Sequence, residues 1–152
     1  MTTVKIKKVR TSAQVPRYMS AGAAGCDVSA CLDHGIDMKP GERVAVPTGL
    51  SFEIPLGYEV QVRPRSGLAI KKGLTVVNAP GTIDSDYRGE VMVLMINLST
   101  ETARIESGDR IAQLVLHRVE QIQWMETPKL EETERAEGGF GSTGFSTKPG
   151  HA

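Results

Sequence analysis

Two carboxylates, Asp84 and Asp86, an aromatic ring, Tyr87, and a guanidinium, Arg88, crowd one stretch of this chain, Asn78 to Glu90, which Gly81 and Gly89 bend. Held rigidly, a carboxylate of this kind serves proton transfer; left loose, it is a charge that keeps a loop soluble. A second group is Arg63-Pro64-Arg65-Ser66-Gly67-Leu68-Ala69, with two guanidiniums and a hydroxyl where a strand gives way to a short helix. Backbone N–H groups at a helix start, together with Arg, make an anion site. The same residues also read as an ordinary helix start, with Ser66 as the cap and the Arg side chains in surface ion pairs. Gly67 to Gly73 is no P-loop, because the Gly-Lys-Ser/Thr ending is missing.

Gln113 follows the turn Gly108-Asp109-Arg110 in an otherwise apolar strand. It either faces solvent or bonds a buried or ligand group. Strand alternation predicts Arg110 and Ala112 on one side, Ile111 and Gln113 on the other. Near the end of the chain, Phe140 stands among glycines and is followed by Gly141, Ser142 and Thr143. A Gly-rich backbone can wrap anions and a ring can stack on a base; the plain alternative is a disordered terminus. His34, His117 and His151 are scattered, with no spacing that suggests zinc or iron. Ser66 has no base adjacent in sequence, which leaves a nucleophilic serine unsupported.

These groups need a frame. Leu74–Val77 leads into the Asp84 stretch and Val91–Leu98 leads out, which predicts a β-hairpin with polar groups at its tip. Within an extended tip, Asp84 and Asp86 would share one side, Ser85 and Tyr87 the other. Further short β-type segments run over Val4 and Ile6, Glu42–Pro47, Leu50–Ile54, Tyr58–Arg63, Ala103–Ile105 and Ile111–Val119. Turn signals at Lys39-Pro40-Gly41, Pro47-Thr48-Gly49, Pro55-Leu56-Gly57 and Ser107-Gly108-Asp109 separate them. Strands this short and evenly punctuated predict an all-β sandwich or barrel, with one short helix over Ser66–Lys72. After Trp124 the composition turns acidic, then Gly-rich. The chain therefore divides into a β domain, residues 1–125, and a flexible arm, residues 126–152, that cannot bury enough apolar surface to order itself.

At 152 residues the chain has room for one real core. Eighteen Lys plus Arg balance eighteen Asp plus Glu, which removes the main argument for a nucleic-acid partner. Any bound anion must be held by a local cluster. Two cysteines, Cys26 and Cys31, are too few for a disulfide framework and favour a reducing compartment. The basic start, Met1 to Arg10, lacks the apolar core of a signal peptide, and no apolar run is long enough to span a bilayer. A cytoplasmic chain without a membrane partner is expected. Asn97-Leu98-Ser99 fits a glycosylation sequon, which carries no meaning without secretion.

Five segments, taken in order, resemble the motifs of the homotrimeric dUTPases: Ala24-Gly25-Cys26-Asp27, Pro64-Arg65-Ser66-Gly67-Leu68, Gly81 to Gly89, Gly108 to Gln113, and Arg135 to Gly144. The resemblance runs from about Ala21 to Gly144. It implies a jelly-roll β fold and a threefold trimer with active sites at subunit interfaces, each completed by the C-terminal arm of another subunit. It also implies hydrolysis of dUTP to dUMP and pyrophosphate, which keeps uracil out of DNA and supplies dUMP. Carried over, Asp84 is the general base that primes a water against the α-phosphorus, and Tyr87 is the ring against the deoxyribose. Asn78, with the nearby Gly81, Thr82 and Ile83, reads uracil. Arg65, Ser66, Gly67 and Gln113 cradle the triphosphate. Arg135, Ser142 and Thr143 clamp the terminal phosphate, with Gly141 beside them and Phe140 stacked on uracil. Mg²⁺ is the implied cofactor, with Asp27 as its water-mediated partner. Ala136 departs from the family's usual Gly, and Cys26 from its usual Tyr or Leu. The dCTP deaminase branch shares the fold, but Asp84 to Tyr87 and Gly138 to Gly141 argue against it.

Overall fold

The computed structural model describes residues 2–139. The expected roles of Phe140, Gly141, Ser142 and Thr143 lie outside the described residues. The chain divides into two compact units, Met1–Glu120 and Gln121–Ala152.

Among the described residues, the strands all fall in the first unit: β1 (Lys5–Lys8), β2 (Cys26–Ser29), β3 (Ile36–Met38), β4 (Arg43–Pro47), β5 (Leu50–Glu53), β6 (Tyr58–Arg63), β7 (Leu74–Val76), β8 (Gly81–Ile83), β9 (Met92–Asn97), β10 (Ala103–Ile105) and β11 (Arg110–Arg118). A short helix, α1 (Ser66–Lys72), joins β6 to β7. The fold is all-β, as the punctuated strands predict, and jelly-roll-like, as the resemblance implies. Its sheets run β2-β11-β6-β8 and β4-β9-β7, with two-stranded pairs β1-β5 and β10-β3 at the margins.

Alternation explains the core. In β9, Val93, Met95 and Asn97 point inward and are fully buried, while Met92 and Leu94 face out. Each fully buried apolar side chain of this size contributes about 1.5–3 kcal/mol. Val28, Met38, Val46, Leu50, Leu74, Ile105 and Ile111 join them in one apolar cluster. Asn97 is the polar exception. Its Nδ2 donates to Met38 O at 2.8 Å and Glu101 O at 2.7 Å, and its Oδ1 accepts from Ser99 N at 2.9 Å and Ser99 Oγ at 2.8 Å. A buried amide this fully bonded fastens the end of β3 to the loop between β9 and β10, and its bonds offset the cost of burying it.

The outer face of β9 is unusual for a solvent-facing surface. Met92, Leu94 and Val77 are exposed, and the register sets Pro47 beside Met92 and Ala45 beside Leu94. That makes a contiguous apolar sheet face rather than scattered single side chains.

The predicted hairpin exists, with a difference. β7 and β9 pair antiparallel, Leu74 opposite Asn97 and Val76 opposite Met95. The connection between them is not a simple tip: it contains β8, which leaves for the other sheet and pairs with β6, Val62 opposite Gly81 and Val60 opposite Ile83. Helix α1 spans Ser66–Lys72 as predicted, but Ser66 does not cap it. The cap position is Arg65, in extended conformation and with no side-chain bond to the helix. At the other end Gly73 closes the helix at φ 62°, and a Cβ there would meet Ser99 N at 2.7 Å. Left-handed backbone and lack of room both demand glycine.

Candidate functional site

Sheet order gathers what the sequence scatters. β2 carries Asp27, β11 carries Arg110 and Gln113, β6 leads into Arg65 and Ser66, and β8 leads into Asp84. All four belong to the sheet β2-β11-β6-β8. They form two centres, one at each edge.

At the β8 edge lies a cleft of about 230 Å³. Asn78, Thr82, Asp84 and Tyr87 supply its polar or aromatic groups, and Val62, Ile83, Val91 and Leu94 its apolar walls. Gly81 is buried beneath it; a Cβ on Gly81 would lie 3.0 Å from Asn78 Nδ2 and 3.4 Å from Val62 Cβ, so glycine leaves the amide its place. The Ala79–Pro80 peptide between Asn78 and Gly81 is cis.

Strict alternation does not hold beyond β8. Tyr87 N donates to Asp84 O at 3.2 Å, closing a turn, so Tyr87 swings round to line the same cleft as Asp84. The expected opposite placement is thereby corrected, because a four-residue turn replaces the extended tip. Tyr87 Oη donates to Glu90 O at 3.0 Å, and Arg88 Nη1 donates to Ser85 O at 2.7 Å. Ser51 Oγ donates to Arg88 O at 2.6 Å, tying the loop to β5. Asp84 itself is exposed to the cleft.

At the β2 edge the groups are charged and interlocked. The Asp27 side chain is 6% exposed and makes ion pairs with Arg110 Nη1 at 3.0 Å and Arg65 Nη2 at 3.4 Å, both on Oδ2. Gln113 Nε2 donates to Oδ1 at 3.4 Å, and Arg65 Nη1 donates to Arg110 O at 2.8 Å. Gln113 is therefore half-buried and bonded, which decides between its two readings. The pairing of β11 with β2 shifts register between Arg110 and Ala112. A bulge of this kind adds one residue to a strand, so Arg110 and Gln113 reach the same carboxylate despite the odd spacing between them. This corrects the two-sided expectation for that strand. Arg110, not among the predicted site residues although it lies within the Gly108–Gln113 motif, is joined to this cluster through Asp27. Arg65, Lys72, Arg104 and Arg110 border a hollow of about 190 Å³ here. Ser66 and Gly67 are exposed at the start of α1.

Among the described residues, no three His, Cys, Asp or Glu side chains cluster as a metal cage. Asp27 Oδ2 is engaged by both guanidiniums, but Oδ1 holds only the long bond from Gln113 and keeps acceptor capacity for a water. Cys26 is half-buried and Cys31 buried, and both are free thiols. Burial pushes the Cys26 thiol up from its ordinary range. No helix among the described residues is long and apolar enough to cross a membrane.

In the second unit, Arg135 Nε donates to Gly138 O at 2.8 Å, and Ala136 N donates to Thr133 O at 3.0 Å. Ala136 stands at φ 44°, the left-handed region where glycine is at ease and an L-residue is strained by about 1–2 kcal/mol.

The two centres share no lining residue. Asp27 and Asp84 are three strand spacings, about 14 Å, apart across the sheet and about four residues, about 13 Å, apart along it; Arg65, on the strand next to β8, is about six residues, about 20 Å, along from Asp84. A small cleft with a carboxylate and a separate cationic cluster on a jelly-roll sheet are features that suit a nucleotide, its base and sugar at the first and its phosphates at the second. Residues 11–144 match the family model described as dUTPase. A deoxyuridine 5'-triphosphate nucleotidohydrolase of Desulfotalea psychrophila is 62% identical over 130 residues, covering 86% of this chain and 87% of that protein. The enzyme of the same name from Fusobacterium nucleatum is 52% identical, covering 95% and 99%. Among solved structures, the Staphylococcus bacteriophage 80alpha dUTPase with dUPNHPP superposes with a TM-score of 0.85 at 26% identity, covering 94% of this chain and 99% of that one. The chain belongs to the dUTPase family.

Proposed function

We propose that the chain hydrolyses dUTP to dUMP and pyrophosphate, with Asp84 as general base. The observation that carries this is the cleft in which Asp84, Asn78 and Tyr87 converge over apolar walls. Asp84 takes a proton as the water oxygen attacks the α-phosphorus, and the bond from that phosphorus to the bridging oxygen breaks, releasing pyrophosphate. Asn78 and the backbone of Gly81, Thr82 and Ile83 read the uracil edge. A hydrogen-bonding site rejects the cytosine edge strongly, whereas thymine is refused only by the steric test on its C5 methyl. The Tyr87 ring packs against the deoxyribose where a 2′-hydroxyl would intrude.

Arg65, Ser66, Gly67 and Gln113 cradle the phosphates, with Arg110 beside them. A base must lie within about 3 Å of the proton it takes, and the cradle must touch the same triphosphate. The separation within one chain favours a site shared between copies, with the base from one and the cradle from another. The exposed apolar face of β9 supports such an assembly, which we take as a homotrimer. Residues 126–152 form the arm of our reading; Arg135, Phe140, Gly141, Ser142 and Thr143 would close the site of another copy. Mg²⁺ fits only through a water on Asp27 Oδ1, together with the substrate phosphates, and when bound supplies charge neutralisation at the phosphate oxygens. Free thiols accord with a cytoplasmic setting.

Pyrophosphate release measured with dUTP beside dCTP, dTTP and UTP tests the proposal. Rapid release from dUTP alone is expected. Equal release from all four, or ammonia release from dCTP, would remove it.

A further inference from the structure

We infer that Glu90 is a positioning residue for substrate choice: anchored by Arg10, it holds the Tyr87 ring in the attitude that excludes a ribose. The inference rests on the proposed role of Tyr87 and extends it to residues that touch no substrate.

Glu90 is bonded at both ends. Its carbonyl oxygen accepts the Tyr87 hydroxyl at 3.0 Å. Its carboxylate accepts from Arg10 Nε at 2.9 Å, Arg10 Nη2 at 3.3 Å and Gly49 N at 2.9 Å. A two-pronged guanidinium–carboxylate pair fixes direction as well as distance. The next residue is also tied down: Val91 N donates to Leu50 O at 2.8 Å, and Val91 O accepts from Thr48 Oγ1 at 2.7 Å. The carbonyl that receives the tyrosine hydroxyl is therefore held from both sides, by the Glu90 carboxylate's bonds and by those of Val91 to Thr48 and Leu50. Gly89 completes the seat. A Cβ there would lie 2.6 Å from Tyr87 Cζ, so the ring occupies the room that any other residue would fill. Tyr87 is 46% exposed and little else among the described contacts fixes its far end. Tipping the ring away from the cleft would open space beside the sugar while leaving Asp84 untouched.

The test compares kcat/KM for dUTP and for UTP in wild type, Arg10→Met, Glu90→Gln and Tyr87→Phe. Each change should lower the preference for dUTP about fivefold, mainly through faster UTP turnover, the scale of one partly exposed charge-assisted contact. Because the three act through one chain of bonds, Glu90→Gln with Tyr87→Phe should again give about fivefold, not the product of the two. Melting temperatures are recorded alongside, since a merely structural role would lower stability and slow both substrates in proportion. Preference within twofold of wild type in all three variants overturns the inference, whatever the stability. Tyr87→Ala separates the two levels. If that enzyme still hydrolyses dUTP and still refuses UTP, the reading of the ring fails and the bracket with it; if it admits UTP while the three variants do not, only the bracket fails.

Discussion

Two inactive forms of the chain, Asp84→Asn and Arg65→Ala, should become active when mixed. The expectation follows from the antiparallel register of β6 with β8, which sets Asp84 level with Glu59, about six residues or about 20 Å along the strand from Arg65. That distance is not compatible with one phosphate touching both. If a site takes Asp84 from one copy and Arg65 from the next, about half of the sites in an equal random mixture receive an intact base, and independently about half an intact cradle, so about a quarter receive both. Each variant alone should retain at most about one part in a hundred of the activity, the usual scale for losing a general acid–base or a charge-stabilising group. Recovery would therefore stand some twenty-five-fold above the background, by the same estimates. The assay is pyrophosphate release after joint unfolding and reassembly of differently tagged variants, with sequential tag purification to prove that mixed assemblies form. Activity equal to the sum of the separate variants, in proven mixed assemblies, would refute the reasoning and return both groups to one chain.

Asp27→Asn should destabilise the fold and weaken dUTP binding together. It leaves Arg65, 23% exposed, and Arg110, 45% exposed, without their shared carboxylate, so the loss falls below the buried-pair range at about 1–2 kcal/mol, a drop of several degrees in Tm by calorimetry. Truncation before Arg135 should leave the unit Met1–Glu120 folded with little activity, checked by circular dichroism and turnover; full activity would discard the closing role of the arm. Alkylation of Cys26 should be slow at neutral pH and accelerate only above the ordinary thiol range, because burial raises its pKa and so lowers the thiolate fraction; mass spectrometry after iodoacetamide treatment reads this directly.

Segment type was legible because punctuation is local: proline and glycine pairs mark where strands stop, and the start and end of α1 read off directly. What escaped has a common cause. β3 and β8 are three-residue strands whose partners are far away in sequence, so no periodicity announces them. The turn from Asp84 to Tyr87 and the bulge after Arg110 each break the period of two, and each brings onto one side residues that strict alternation would separate. Motifs could be recognised as strings, but the knot of Asp27, Arg65, Arg110 and Gln113 is a product of strand order and has no linear signature. Glu90 and Gly89 lay within a recognised stretch, yet their partners Arg10 and Gly49 come from other loops.

Asn97-Leu98-Ser99 has the letters of a sugar-acceptor sequence, and acceptors of that kind need an amide nitrogen that an enzyme can reach. Here both hydrogens of that nitrogen are already committed to carbonyls, one at the end of β3 and one in the loop after β9, and the residue is 0% exposed. Attaching a glycan would mean extracting the fastener that holds that strand end and that loop together. Once folded, the protein is thus proof against oligosaccharide transfer at this position, in whatever compartment it is made.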